Sequence, residues 1–350
     1  MAAQRDINKA CVVESRTLHA ACQDLTEGAQ EKMKSGCSPR DVARGVYETA
    51  SLARFRGWHY KQHVNSEALR TKSVLQAVDF NPLTRDALAL MRLKEADTLF
   101  ILGSGSSINS LNQDKFDEIE GGYSIGLNAW VSHAFVPDAY SFESDSLPSP
   151  PSLEIKTMSE ALGERAVSHP NTLLLLLRPK HPELLHRMVE VPPALRDRAF
   201  MYGRQNLLTQ SESALREDLG PFLVNRFKDF DDKPVLIDNG ASVVRMIELG
   251  LFAGFTEIVL LGIDLNSSQY FWESPDADTG HLDMRSSYRR PQNSKHDTLE
   301  TLGRPYSNLL FIKELALLAP KIFNANLYLG TEGSSLAGAI PRYHWASEEL

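Results

Sequence analysis

The spacing of apolar residues divides the chain in two. Up to Glu95, apolar positions recur at the three- and four-residue intervals of amphipathic helices, and Ser38-Pro39-Arg40-Asp41 offers an N-cap serine, a proline at the first helical position and an acid in the first turn. Thr84 is placed to cap a further helix running to about Leu93. No stretch before Asp97 predicts a strand, so residues 1–95 read as a helical N-terminal extension suited to packing or oligomerisation. At Asp97 the pattern changes. Thr98-Leu-Phe-Ile-Leu102 is a short continuous apolar run, the kind found in a parallel strand covered on both faces. Similar runs lie at Tyr123–Leu127, Thr172–Leu177, Pro234–Ile237, Ile258–Leu261 and Ala325–Leu329, with helix-like stretches between several of them. Strands alternating with helices predict a Rossmann-like, doubly wound, mainly parallel α/β sheet over residues 96–350.

Two polar breaks interrupt this pattern. Ser146-Leu-Pro-Ser-Pro-Pro-Ser152 reads as a surface loop, because strands resume beyond it. Residues 265–305 are rich in Asp, Ser, Arg and His and poor in aliphatic residues, although they sit between a buried strand and the amphipathic run that starts at Ser307. A long polar insert at the carboxyl end of a central strand lies where open α/β sheets bind ligands, so it reads as a lid.

Composition narrows the function classes. Hydrophobic residues make up 42% and charged residues 23%, as in ordinary globular proteins, and the net charge of -8 argues against a general nucleic-acid binder. Cys11, Cys22 and Cys37 have neither metal-knuckle nor redox-pair spacing, which suits a reducing, cytoplasmic setting. No apolar run reaches the length of a membrane span. Peripheral membrane association and homo-oligomerisation are both compatible with this composition.

Three motifs carry chemistry. The turn Gly103-Ser104-Gly105-Ser106-Ser107 follows a strand, and glycines there permit close backbone approach while the next amides offer donors to phosphate. It lacks both the third glycine of a dinucleotide fingerprint and the lysine of a Walker loop. The second motif, Asp238-Asn239-Gly240-Ala241-Ser242, enters a helix that stops at Gly254, after which a strand ends in Gly262-Ile-Asp264. Asp264 reads either as a strand-end cap or as a ligand-binding acid. The third is the insert itself, with Asn266, Tyr270, His281, Arg285, Tyr288, Arg289, Arg290, Lys295 and His296, a set suited to an anionic donor.

In this order the motifs resemble the bacterial sialyltransferases of glycosyltransferase family 42 and the related DUF115 proteins. The matching pieces are Ile101–Ile108, Gly126-Leu-Asn128, Pro137-Asp-Ala-Tyr-Ser-Phe-Glu143, Gly254–Asp264, Ser267-Ser-Gln-Tyr-Phe271, Tyr306 with the helix after it, and Leu327–Leu336. The resemblance implies a nucleotide-binding domain with a lid and metal-independent, inverting transfer of a sialic-acid-like or Kdo-like sugar from a CMP-activated donor to a saccharide acceptor, with no separate cofactor. It places nucleotide contacts on Gly103, Ser104, Gly105, Ser107, Asn128 and the turn Asn239-Gly240-Ala241-Ser242, a leaving-group tyrosine on Tyr270, and the general base on His281 or His296; Ser106, Glu143, Asp264 and Asn266 join the nucleotide-binding candidates by their position among these motifs. The chain departs from the pattern at Glu143, where the sialyltransferases carry asparagine, at Asn266, near which they carry a second tyrosine, and at Leu302, where an ungapped match would require the histidine. Two alternatives accompany this reading. One is a pterin diphosphokinase using ATP and Mg²⁺ held by Asp264, Asp276, Asp278 and Asp283; the other is a degenerate, non-catalytic nucleotide-binding module.

Overall fold

The computed structural model describes residues 62–76, 78, 80–143, 153–179, 185, 188–207, 209, 211–266, 269–275, 277, 279 and 306–348. The chain forms two compact units, Met1–His63 and Val64–Leu350. The larger unit carries the sheet, and it takes in the last part of the stretch read above as the extension. The proline-rich break, His281, His296 and most of the lid lie outside the described residues.

The larger unit opens with helix α1 (residues 64–76). Then come β1 (Asn81–Pro82), α2 (Arg85–Met91), β2 (Thr98–Leu102), α3 (Gln113–Gly121), β3 (Tyr123–Leu127), β4 (Ala139–Phe142) and α4 (Leu153–Ser168). The rest is β5 (Leu173–Leu177), β6 (Ala199–Gln205), α5 (Glu212–Asp229), β7 (Val235–Ile237), α6 (Ser242–Ala253), β8 (Glu257–Leu261), α7 (Asn308–Ile322) and β9 (Asn326–Leu329). Among the described residues the sheet has nine strands in the order β1-β6-β5-β4-β3-β2-β8-β9, with β7 also on β6. Every pairing is parallel. β1 pairs with Phe200 and Met201, and β7 with Gly203 to Gln205, so the two short strands share the outer edge of β6.

The expected apolar runs all form strands, and their continuity has a physical reason: β3, β5 and β7 are buried at every position because helices cover both faces. Three strands left no such run. β4 reads Ala-Tyr-Ser-Phe, β6 carries Gly203, Arg204 and Gln205, and β1 is two residues long, so each is held by its neighbours rather than by its own pattern. From β2 the chain steps outward through β3, β4, β5 and β6. It then returns through α6 to place β8 on the other side of β2, which makes the β2–β8 boundary a topological switch point.

Helix α6 is the centre of the unit, with every residue from Val243 to Phe252 buried, including Arg245 and Glu248. Glu248 accepts the Ile237 N–H, and burial pushes its carboxyl up to about 7 against the opposing pull of Arg226. The expected stop at Gly254 is present: its φ is +83°, its N–H reaches Leu251 O at 3.2 Å, and Phe255 N–H returns to Gly250 O at 3.2 Å. Among the described residues no helix is long and apolar enough to cross a membrane.

A methyl group at Gly254 would meet nothing within 4 Å, so alanine there pays only for its left-handed backbone. We expect Gly254→Ala to lower the unfolding free energy by about 1–2 kcal/mol with an unchanged denaturant slope, measured by urea titration. An unaltered midpoint would mean that the stop is not held in the left-handed region.

Candidate functional site at the carboxyl edge of the sheet

The carboxyl ends of the strands form one rim, and the polar residues singled out above fall on it in two groups. The first lies at the switch point. There the chain leaving β2 is laced to the chain leaving β8: Gly103 N–H donates to Leu261 O at 2.7 Å and Gly105 N–H to Gly262 O at 2.9 Å. Ser107 N–H donates to Asp264 Oδ2 at 3.0 Å, the Ser107 hydroxyl donates to Asp264 Oδ1, and Ser106 N–H reaches Gln269 O at 3.2 Å. Phe271 N–H returns to Ser104 O at 3.0 Å, completing a bridge of Gly105 with Tyr270. The glycines are required by this closeness, since a Cβ on Gly105 would sit 2.5 Å from Asp264 Oδ2 and one on Gly103 2.6 Å from Gly262 O.

Asp264 therefore acts as an internal acceptor for the opening of the Ser106–Ser110 turn. The amides of Gly103, Gly105, Ser106 and Ser107, read from sequence as donors to a phosphate, all have acceptors within the protein. Asn266 is exposed and donates to Gly333 O, and the half-buried Tyr270 ring lies flat on Trp272 with centroids 4.4 Å apart and planes 6° from parallel.

The second group spans β3 to β7. Asn128, at the end of β3, adopts a φ of +47°. Its amide donates to Ser242 Oγ at 3.2 Å and its carbonyl oxygen accepts Glu143 N–H at 3.1 Å. Glu143, at the end of β4, accepts from both the Ser242 hydroxyl and the Arg245 guanidinium. The other side of Arg245 donates to Asp238 Oδ1 at 2.5 Å, and Gly240 N–H reaches the same oxygen at 2.8 Å. Arg204 Nη1 stands 3.8 Å from Asp238 Oδ2. Asn239 turns aside and donates to Asn308 Oδ1 at 2.9 Å, while Ala241 is the buried N-cap of α6. At the end of β5, Arg178 pairs with Glu67 of α1 at 2.5 Å.

Burial alone would pull the Arg245 guanidinium down, but Glu143 and Asp238 more than offset it and hold the group above its ordinary value, firmly charged. Arg204 goes the other way: burial lowers it, with Asp238 opposing. Glu143 opens to solvent, at 36% side-chain exposure against 1% for Arg245. The arrangement is a neutral set of two acids and two guanidiniums with hydroxyl and amide groups at its mouth, suited to a polar, hydroxyl-bearing ligand.

Of the residues singled out in the sequence, Asn128, Glu143 and Ser242 fall into one hydrogen-bonded set, while Asp264 lies at the switch point. Sequence reasoning missed Arg204 and Arg245 and gave Asp238 no role. The signals were present: an arginine inside the apolar helix Ser242–Ala253, and Arg204-Gln205 closing a strand. Replacing Asp264 by alanine would leave the Ser107 amide without its acceptor, so Asp264→Ala should cost about 1–3 kcal/mol of stability by chemical denaturation. An unchanged midpoint would show that the lacing at the switch point holds nothing.

No protein-family model matches the chain, and no curated protein matches it closely enough to count as a relative. Among solved structures it is similar to the monofunctional alpha-2,3-sialyltransferase Cst-I from Campylobacter jejuni, at 14% identity and a TM-score of 0.38, over 71% of this chain and 81% of that one. It is also similar to the MAf glycosyltransferase from Magnetospirillum magneticum AMB-1, at 16% identity and a TM-score of 0.38. That match covers 77% of this chain but only 39% of the Magnetospirillum protein, so the chain spans well under half of that relative's length.

Proposed function

We propose that the protein is a glycosyltransferase that moves a sialic-acid-like or Kdo-like sugar from a CMP-activated donor to a saccharide acceptor. The observation that carries this reading is the convergence of Asn128, Glu143, Asp238, Ser242 and Arg245 from separate elements onto one stretch of the rim. A carboxylate and an amide fixed by partners of their own present directed acceptors and donors to sugar or ribose hydroxyls without first having to be ordered. The order of the sequence motifs supplies the CMP-sugar identity.

In the reaction, a base takes the proton of the acceptor hydroxyl, whose oxygen bonds to the anomeric carbon as the bond from that carbon to the donor phosphate breaks. CMP departs with the bonding pair, and the configuration inverts. The reading gives the base to His281 or His296, both outside the described residues. The resemblance gives the leaving-group role to Tyr270, whose ring is fixed by stacking on Trp272. Positively charged lid residues would balance the phosphate charge.

Two measurements test this. In a thermal-shift panel of CMP, UDP, ATP with Mg²⁺ and NAD, CMP without metal should raise the melting temperature most, because a ligand bound only by the native state stabilises it; at about 100 times its Kd the gain is about 2.7 kcal/mol. A clear preference for ATP with Mg²⁺ would transfer the chain to the diphosphokinase reading. In the transferase assay, His281→Ala or His296→Ala should lower kcat by roughly 10²–10⁴ while CMP affinity stays nearly unchanged. Full rate in both single variants and in the double variant would remove the histidine base, and absence of turnover in a CMP-binding wild type would leave a binding module.

A further inference from the structure

An anionic ligand at this rim needs a cation that is not already committed, and the rim has three guanidiniums among the described residues. Arg178 is 2% exposed and paired with Glu67 at 2.5 Å. Arg245 is 1% exposed and bound on both sides, to Glu143 and to Asp238. Arg204 differs. Its side chain is 20% exposed and its ion-pair contact is with Asp238 at 3.8 Å, beyond hydrogen-bonding reach. The facing carboxylate already accepts Arg245 and the Gly240 amide through its other oxygen. At that distance no hydrogen bond joins the pair, whereas a guanidinium fork on a phosphate forms two charge-assisted bonds.

Placement agrees with exposure. Side chains alternate along β6, so Arg204 shares a face with Tyr202. The Tyr202 hydroxyl lies 3.4 Å from Ser141 Oγ on β4, and Tyr202 also feels the charge of Arg245 and Glu143. Arg204 thus faces the Glu143–Ser242–Arg245 set rather than α1, which packs on the opposite face at Gly203. At the switch point, by contrast, the glycine-turn amides are bound to Leu261, Gly262, Gln269 and Asp264, and a phosphate there would have to displace a buried carboxylate.

We propose that Arg204 receives the phosphate oxygens of the ligand, so that the anion-binding centre of the rim lies at the end of β6 and not in the Gly103–Ser107 turn; the phosphate is then four strands from Tyr270, and the leaving-group role passes from Tyr270 to Arg204. This rests on the nucleotide-donor reading above for the identity of the phosphate, but not for its place. Among the described residues of the rim no other guanidinium is both accessible and weakly engaged, and the arginine needs only to turn from Asp238, which keeps Arg245 as its counterion.

The test is calorimetric titration of the full-length protein with CMP, cytidine and inorganic pyrophosphate at matched ionic strength. The proteins compared are wild type, Arg204→Gln, Arg204→Lys and, as a surface-charge control, Arg342→Gln, with folding of each checked by urea midpoint. Arg204→Gln should weaken CMP by about 10- to 100-fold, leave cytidine within about twofold, and abolish pyrophosphate binding; Arg204→Lys should fall between, and Arg342→Gln should match wild type. Unchanged CMP affinity in Arg204→Gln, or equal weakening of CMP and cytidine, overturns the assignment while leaving the donor reading in place. If the wild type binds pyrophosphate through Arg204 but not CMP, the anion site stands and the donor reading falls. If the wild type binds neither anion, or binds pyrophosphate equally well without Arg204, the proposal is wrong.

Discussion

A guanidinium buried in the first turn of an apolar helix has to be neutralised where it sits, and Arg245 is neutralised by acids from two different strand ends, Glu143 after β4 and Asp238 before α6. Removing one partner of such a set costs about 3–5 kcal/mol, because a charge is then left in a medium that cannot solvate it. The arrangement therefore fixes more than one residue. It sets the depth of α6 against the sheet, the exit of β4 and the turn between β7 and α6. Through Ser242 and Asn128 it extends to the end of β3. The rim of the sheet is ordered by an ion network whose centre no solvent reaches.

The fold was largely readable because burial on both faces of a parallel sheet forces consecutive apolar residues, and that signature marked β2, β3, β5, β7, β8 and β9. β4 and β6 escaped it for opposite reasons. In β4 a serine is tolerated at a buried position because its hydroxyl faces Tyr202. In β6 the last two residues, Arg204 and Gln205, are polar because the strand ends there at the carboxyl rim of the sheet, beside Asp238.

The site was readable where chemistry is local and obscure where it is assembled. Glycine turns, strand-end acids and a helix-opening serine are visible as motifs, and Asn128, Glu143 and Ser242 proved to be mutual partners. Which acceptors a glycine turn serves depends on what lies opposite, and here the opposite chain is the exit of β8, whose Asp264 takes the Ser107 amide. The strand-end-cap reading of Asp264 describes that geometry. Pairings such as Arg245 with Glu143, separated by 102 positions, belong to the tertiary structure alone.

The two sides of the sheet end differently from its interior. Beyond β9 the chain doubles back: Leu329 N–H donates to Pro341 O at 2.9 Å and Tyr343 N–H to Leu329 O at 2.8 Å. Trp345 then stacks on Phe100 at 6.0 Å and donates to Gly330 O at 3.2 Å, pinning that return. On the far side the outermost strands are two and three residues long, and one of them contains Pro82, which has no amide hydrogen to offer. Open strand edges are templates for joining another chain, and short strands, prolines and covering segments are the usual guards against it. Among the described residues, both ends of the sheet thus carry devices that oppose its extension by a further ribbon.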